Sequence, residues 1–175
     1  MSMISWSLTA AALVHIFEEF VFPGGFKAWH VNYRPEIAGS VTDRFLVTIN
    51  AMLIGATVNV ALAGATPEGI VAWLTAVSVM FSNAIFHLVG AFRTRKYSPG
   101  MISATLFYIP LAIYGFVHFL RHGQVSIGWA LAAFALGGSY QFLSTGGHRM
   151  RSRNLPGAPS AEGTYVTPDA RRALI

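Results

Sequence analysis

The stretch LTAAALVHIFEEFVF, residues 8–22, decides the reading of this chain. It is apolar over membrane-like length, yet His15, Glu18 and Glu19 sit inside it. One ionisable group in the middle of such a helix costs roughly 2.5–3.5 kcal/mol on insertion scales. Three on one helix therefore mark a site that faces the protein interior and not lipid. Positions 15, 18 and 19 are related by i,i+3 and i,i+4, so they share a helical face. No basic residue precedes the run, and two carboxylates stand where cleavage would fall. It reads as a retained helix rather than a signal peptide.

Composition extends that reading to the whole chain. Of the 175 residues, 54% are hydrophobic and only 11% charged. A soluble domain carries about a quarter charged residues, so an all-α integral membrane bundle is expected. There is no cysteine, which removes disulfides and thiolate metal sites. The excess of basic residues lies in loops and tail, without a stripe of stacking aromatics, and argues against nucleic-acid binding.

Working outward, five segments are expected to span: Ser5–Phe22, Asp43–Ala65, Ile70–Phe92, Met101–Leu120 and Val125–Leu143. Pro23, Gly24 and Gly25 stop the first, and the second ends at the turn Thr66-Pro67-Glu68-Gly69. Residues 1–145 form the five-helix transmembrane domain, and 146–175 a flexible, basic cytoplasmic tail. Lys27, Arg34, Arg44, Arg93, Arg95 and Lys96 would share one side with the tail arginines, while Arg121 alone lies opposite. The positive-inside rule then gives N-terminus out and C-terminus in, for a multi-pass protein of the cell (inner) membrane. Between the first two spans, Phe22, Phe26, Trp29 and Tyr33 share one helical face. They suit an interfacial aromatic anchor or, more sharply, a lid over a site.

Helix rise, about 1.5 Å per residue, sets the depth of each polar side chain. Glu18 and Glu19 lie about one turn from the cytoplasmic end of their helix, and His15 about two turns in. On the third helix Asn83 and His87 form an i,i+4 pair at similar depth. Asn50, Thr105, Tyr108, Tyr140 and Gln141 fall in the same half of the bundle. His118 and His122 belong with Arg121 at the far end and are set aside. Taken singly, Asn50, Asn83 and Tyr108 are ordinary interhelical hydrogen-bonding groups. Two carboxylates and two histidines at one depth, with no Lys or Arg in any span beyond Arg44 at the very start of the second, call for a bound cation, proton sharing or a water-filled cavity.

The string His15-Ile16-Phe17-Glu18-Glu19 resembles the signature of the HXXEE family of small integral membrane proteins. Pro23-Gly24-Gly25-Phe26 followed by Trp29, the segment from Asn83 to His87, and Tyr97-Ser98-Pro99-Gly100 are similar too, and stand in the family's order. The resemblance covers roughly the first two-thirds of the chain. It implies a membrane fold and marks His15, Glu18, Glu19, Asn83 and His87, but brings no reaction with it.

The residues themselves favour a metalloenzyme. His15 and His87 with Glu18 or Glu19 supply two imidazoles and a carboxylate, a set that suits Zn²⁺ with an open position or an iron facial triad. The expected metal ligands are thus His15, Glu18, Glu19 and His87, with Glu18 and Glu19 also the candidate catalytic acids or bases. Asn50, Asn83, Tyr108 and Tyr140 would support them. The chain lacks the carboxylate count of a di-iron bundle, so the site would be mononuclear, in a hydrolase or oxidoreductase acting on a lipid-like substrate from the bilayer. A metal-free acid–base isomerase and a proton-linked transporter are the alternatives. A non-catalytic adaptor would leave the buried carboxylates without a purpose. The charge bias makes the topology testable: a reporter fused after Ile175 is expected to be active only as a cytoplasmic fusion, and activity confined to the exterior compartment would overturn the orientation.

Overall fold

Seven helices form between residues 2 and 153, the part of the chain that the computed structural model describes. They are α1 Ser2–Phe20, α2 Phe26–Tyr33, α3 Asp43–Ala63, α4 Pro67–Thr94, α5 Met101–Arg121, α6 Ile127–Gly138 and α7 Tyr140–Arg153. A 3₁₀ turn, Pro35–Ser40, links α2 to α3, and no strand occurs among the described residues.

The helix ends follow local chemistry. Gly24, at φ +70°, donates its N–H to Glu18 O at 3.1 Å and closes α1, a left-handed ending that glycine adopts without a Cβ penalty. Thr42, Thr66 and Ser126 cap α3, α4 and α6 by accepting the backbone N–H of Phe45, Gly69 and Trp129. Each such cap contributes about 1 kcal/mol.

α4 is the hub. It packs on α1, α3, α5, α6 and α7, and its inward face carries Trp73, Leu74, Val77 and Met80, all buried. Small residues on its neighbours let it in. A Cβ on Gly115 of α5 would lie 2.0 Å from the Trp73 ring, and one on Gly137 of α6 would lie 2.4 Å from Thr75 O. Outward faces are apolar instead of charged: Val47, Leu62, Phe92, Leu131 and Leu136 are well exposed. Exposed apolar surface on that scale suits a lipid environment.

Three helices, α3, α4 and α5, are long and apolar enough to cross a membrane. That is fewer than the five spans expected. In α1, His15, Glu18 and Glu19 dilute the apolar run. The fifth expected span, Val125–Leu143, breaks at Ser139 into α6 and α7. The 12 residues of α6 rise only about 18 Å, short of a hydrocarbon core of about 30 Å. Residues 146–153, read from sequence as the start of a tail, instead continue α7, and His148 is buried with its Nδ1 2.6 Å from Ser40 Oγ. The rest of the expected tail, 154–175, lies outside the described residues.

α5 contains one wide turn. Residues Ala104–Tyr108 are π-helical, and Ile109 N–H bonds to Ala104 O, five residues back. The turn stands just before Pro110, which has no N–H to give to the ladder. It leaves Tyr108 fully buried with its ring 4.6 Å from the ring of His15. Wide turns of this kind gather at functional sites.

α2 realises the aromatic face expected from sequence, but as cover. Trp29 is buried, with its ring stacked 6.0 Å from the His87 ring and fitted against Gly90, where a Cβ would come within 2.6 Å of the indole. Phe26 lies 5.7 Å from the same imidazole. Phe22, expected on this face, precedes α2 and is exposed. An exposed Lys27–Asp43 pair at 2.7 Å joins α2 to the start of α3.

Candidate metal centre

His15 and Glu19 are one turn apart on α1 and face His87 on α4. They are exposed by 1%, 5% and 0% respectively. Glu19 Oε1 lies 3.4 Å from His15 Nε2 and 3.2 Å from His87 Nε2. One ligand atom from each of the three lies within 4.8 Å of the other two, so the group can hold a metal ion. An ion with tetrahedral bonds of roughly 2.0–2.1 Å separates its ligand atoms by about 3.3 Å, and the two Glu19–imidazole separations, 3.4 and 3.2 Å, bracket that value.

Each imidazole is braced from behind. His15 Nδ1 is 3.0 Å from Ser103 Oγ, and His87 Nδ1 is 2.9 Å from Ser98 Oγ. The Ser103 hydroxyl donates to Gly100 O at 3.2 Å, so it accepts from His15 Nδ1–H. In the neutral ring the proton is then on Nδ1 and the lone pair on Nε2, facing Glu19. A hydrogen bond behind the ring, of this kind, is what orients a histidine that ligates a metal. His87 reaches the same state if Ser98 accepts from its Nδ1. Without a cation, a proton between His87 Nε2 and Glu19 Oε1 satisfies that pair.

Asn83 reads both rings. Its Nδ2 is 3.0 Å from His15 Nε2 and 3.3 Å from His87 Nε2, and its Oδ1 accepts from Gln141 Nε2 at 3.1 Å. Gly100 closes the other side. At φ +97° it fits glycine, and a Cβ there would meet His15 Cε1 at 2.7 Å, His87 Cε1 at 2.9 Å and Glu19 Cγ at 3.0 Å.

Glu18 is engaged elsewhere. It accepts from the backbone N–H of Ile102 at 3.0 Å and of Ser103 at 2.6 Å, and from the Tyr97 hydroxyl. It thus caps the start of α5, where unpaired N–H groups favour a carboxylate. Burial and the adjacent carboxylate raise the Tyr97 pKa, keeping it a donor. The expectation that Glu18 would be a ligand or catalytic acid meets this geometry: it is outside the His15–Glu19–His87 group, and it fixes the turn that carries Ser98 and Gly100 together with the first turn of α5, which carries Ser103.

Asn50, Asn83, Tyr108, Tyr140 and Gln141 line a cavity of about 370 Å³ that opens from the centre, whereas Thr105 is exposed and bonds Met101 O of its own helix. Asn50 bonds its own helix at Leu46 O, and Tyr140 pairs with Ser144. The Tyr108 hydroxyl is buried with no hydrogen-bond partner. Towards the end of the bundle that carries α2, the lining adds Arg34, His30 and His148, none of which sequence reasoning assigned to the site. Burial, aided by neighbouring charge, brings the pKa of both histidines down to about 4, so both are neutral at pH 7. Ser98, Ser103 and Gly100 were also missed as working parts, although the Tyr97–Gly100 string had been singled out. His118 and His122 stack on each other at the other end of α5, away from the centre.

Fold and site thus define an all-helical protein with apolar helices of membrane-spanning length and a buried His/Glu group able to take a metal. Residues 6–115 match the family described as proteins of unknown function with HXXEE motif, and the chain belongs to that family. Comparison with curated proteins and with solved structures gives no match.

Gly100 gives a direct check on the geometry. Gly100→Ala is expected to push against all three ligand side chains, lowering Zn²⁺ affinity at least about tenfold. Gly90→Ala meets Trp29 instead and is expected to lower thermal stability while leaving Zn²⁺ affinity within about twofold. Titration of purified protein with Zn²⁺, beside a thermal melt, separates the two.

Proposed function

We propose that this protein is a membrane-embedded, metal-dependent enzyme acting on a hydrophobic substrate. His15, Glu19 and His87 would hold one divalent ion, zinc or iron, with at least one position open toward the cavity. The observation that carries the reading is the convergence of two braced imidazoles and a carboxylate, all buried, at ligand-like separations. The ion would polarise a substrate oxygen or activate water. The chain's own groups do the rest. Asn83 has an amide N–H beside both imidazoles and positions a bound oxygen. Tyr108, with its hydroxyl free of partners, is placed to donate a proton. Trp29 and Phe26 keep water off His87.

Met52, midway along α3, lines the cavity and is mostly exposed, as is Ala56. That rim gives a lateral route from the bilayer for a lipid-like substrate. We further propose that α1 and the α6–α7 segment complete five crossings, with the basic end cytoplasmic, in the cell (inner) membrane. α1 would then hide its ionisable face against α4 and α5, and α6 would borrow the first turn of α7.

A metal-free acid–base isomerase is the second reading. It is favoured by the 3.2 Å Glu19–His87 contact, which a single proton satisfies. Metal content decides between the two. Detergent-purified wild type is expected to hold about one divalent ion per chain, His15→Ala, His87→Ala and Glu19→Gln to lose it, and Glu18→Gln to keep it while melting several degrees lower. A wild type that takes up neither zinc nor iron, and whose melting is unchanged by either, would leave the metal-free reading in its place.

A further inference from the structure

The cavity is polar in two places and apolar in a third, and the order of these levels carries information about what fits. At the end nearest α2 stand Arg34, His30 and His148. Next come His15, Glu19, Asn83 and Tyr108. The third level is Leu53, Ala56, Ala76 and Val79, without a polar side chain among them and with Ala56 at its exposed rim. Along α3 the lining runs from Phe45 to Ala56, about 16 Å of helix rise. From Phe45, against which His148 packs, to Asn50 is about 7–8 Å.

The outer level holds charge that the protein only partly answers. The Arg34 side chain is 18% exposed; its Nη1 donates to the neutral Thr145 Oγ1 at 3.0 Å, and its Nε reaches Glu36 only at 3.4 Å, a carboxylate that is itself half exposed. Arg151 stands behind it, 3.1 Å from His148 and 4.5 Å over the Phe45 ring. His30, more than nine-tenths buried, lines the cavity with an Nδ1 that has no partner. The middle level has the matching orphan, the Tyr108 hydroxyl. Buried polar atoms without partners are rare, and each calls for an account. Two at two depths of one cavity point to a ligand with two polar positions. A guanidinium lining a mostly apolar cavity favours a carboxylate or phosphate.

We propose that the cavity binds an anionic amphiphile, its carboxylate or phosphate head held by Arg34 and His30, and its hydrocarbon tail lying along α3 and α4 toward Ala56. This rests on the metal-centre reading for one consequence. The bond placed against His15, Glu19 and His87 lies between head and tail, and not at the end of the chain. The arrangement excludes sterol-like substrates with a lone hydroxyl as the preferred class, because they would leave His30 Nδ1 without a partner and Arg34 with only Thr145 and the 3.4 Å contact to Glu36.

The test is competition for a fluorescent fatty acid, cis-parinaric acid, on full-length protein in a neutral sugar detergent. The competitors are oleate, oleyl phosphate, oleyl alcohol, oleylamine and inorganic phosphate. Both anionic amphiphiles are expected to compete at least tenfold better than the alcohol or the amine, and inorganic phosphate not at all; the better of the two anions names the head. Arg34→Gln is expected to abolish the preference and Lys27→Gln, on the exposed face of α2, to keep it. If Arg34→Gln fails to fold, His30→Gln and Arg34→Lys replace it, with a weakened and a retained preference expected. Equal competition by alcohol and anion, or a preference that survives Arg34→Gln, overturns the proposal. Bound metal is measured on the same samples. Selective anion binding without metal leaves this inference standing and removes the metal centre; metal without selectivity does the reverse.

Discussion

Glu19 is a buried carboxylate whose close partners are two imidazoles. A buried ionised carboxylate is costly unless it is paired and hydrogen-bonded. The surrounding structure answers that constraint. α1 and α4 are held so that His15 and His87 reach the same oxygen. Ser103 and Ser98 turn the rings from behind. Gly100 leaves just enough room for the three side chains to approach. A misplacement of any of these would leave a charge or a lone pair stranded in an apolar interior.

The second carboxylate explains how the loop before α5 is kept in place. Glu18 and Glu19 are adjacent in sequence but serve different neighbours. Glu18 binds the free N–H groups at the start of α5, and that loop presents the bracing serines to the histidines. The HXXEE string is thus one helical turn with two jobs: its His and second Glu face α4, and its first Glu anchors α5. Helix irregularities then shape the space beyond. The π turn brings Tyr108 against His15, and the break at Ser139 carries Gln141 to Asn83 and His148 to Ser40. Without the break, a straight helix from Ile127 would run on past the bundle instead of covering its basic end.

The helical core and the centre were legible in the sequence because both rest on local periodicity. The i,i+4 spacings of His15 with Glu19 and of Asn83 with His87 define faces whatever the packing, and helices otherwise apolar turn those faces toward each other. The expected start at Asp43 coincides with that of α3, whereas Thr66-Pro67-Glu68-Gly69, read as a turn, is the cap and first turn of α4. What escaped was long-range. Nothing in the spacing of Glu18 tells that it caps a helix more than eighty residues away, so it looked like a ligand. Ser98 and Ser103 are ordinary residues whose role comes only from what packs on them. His148 lies in a polar, glycine-bearing segment that reads as tail, and its burial depends on the turn at Ser40. The break in the last expected span escaped for a related reason: Gly137, Gly138 and Ser139 are mild enough in composition to pass for continuous helix, yet the helix breaks there.

The central claim is that one ion sits between His15, Glu19 and His87. X-ray absorption at the metal edge of zinc-loaded protein, reconstituted in lipid, tests it most directly. The account predicts nitrogen and oxygen ligands at roughly 2.0–2.2 Å with outer-shell scattering from two imidazoles, and loss of that signature in His15→Ala and His87→Ala. A spectrum without imidazole scattering, or one unchanged by either substitution, would contradict it.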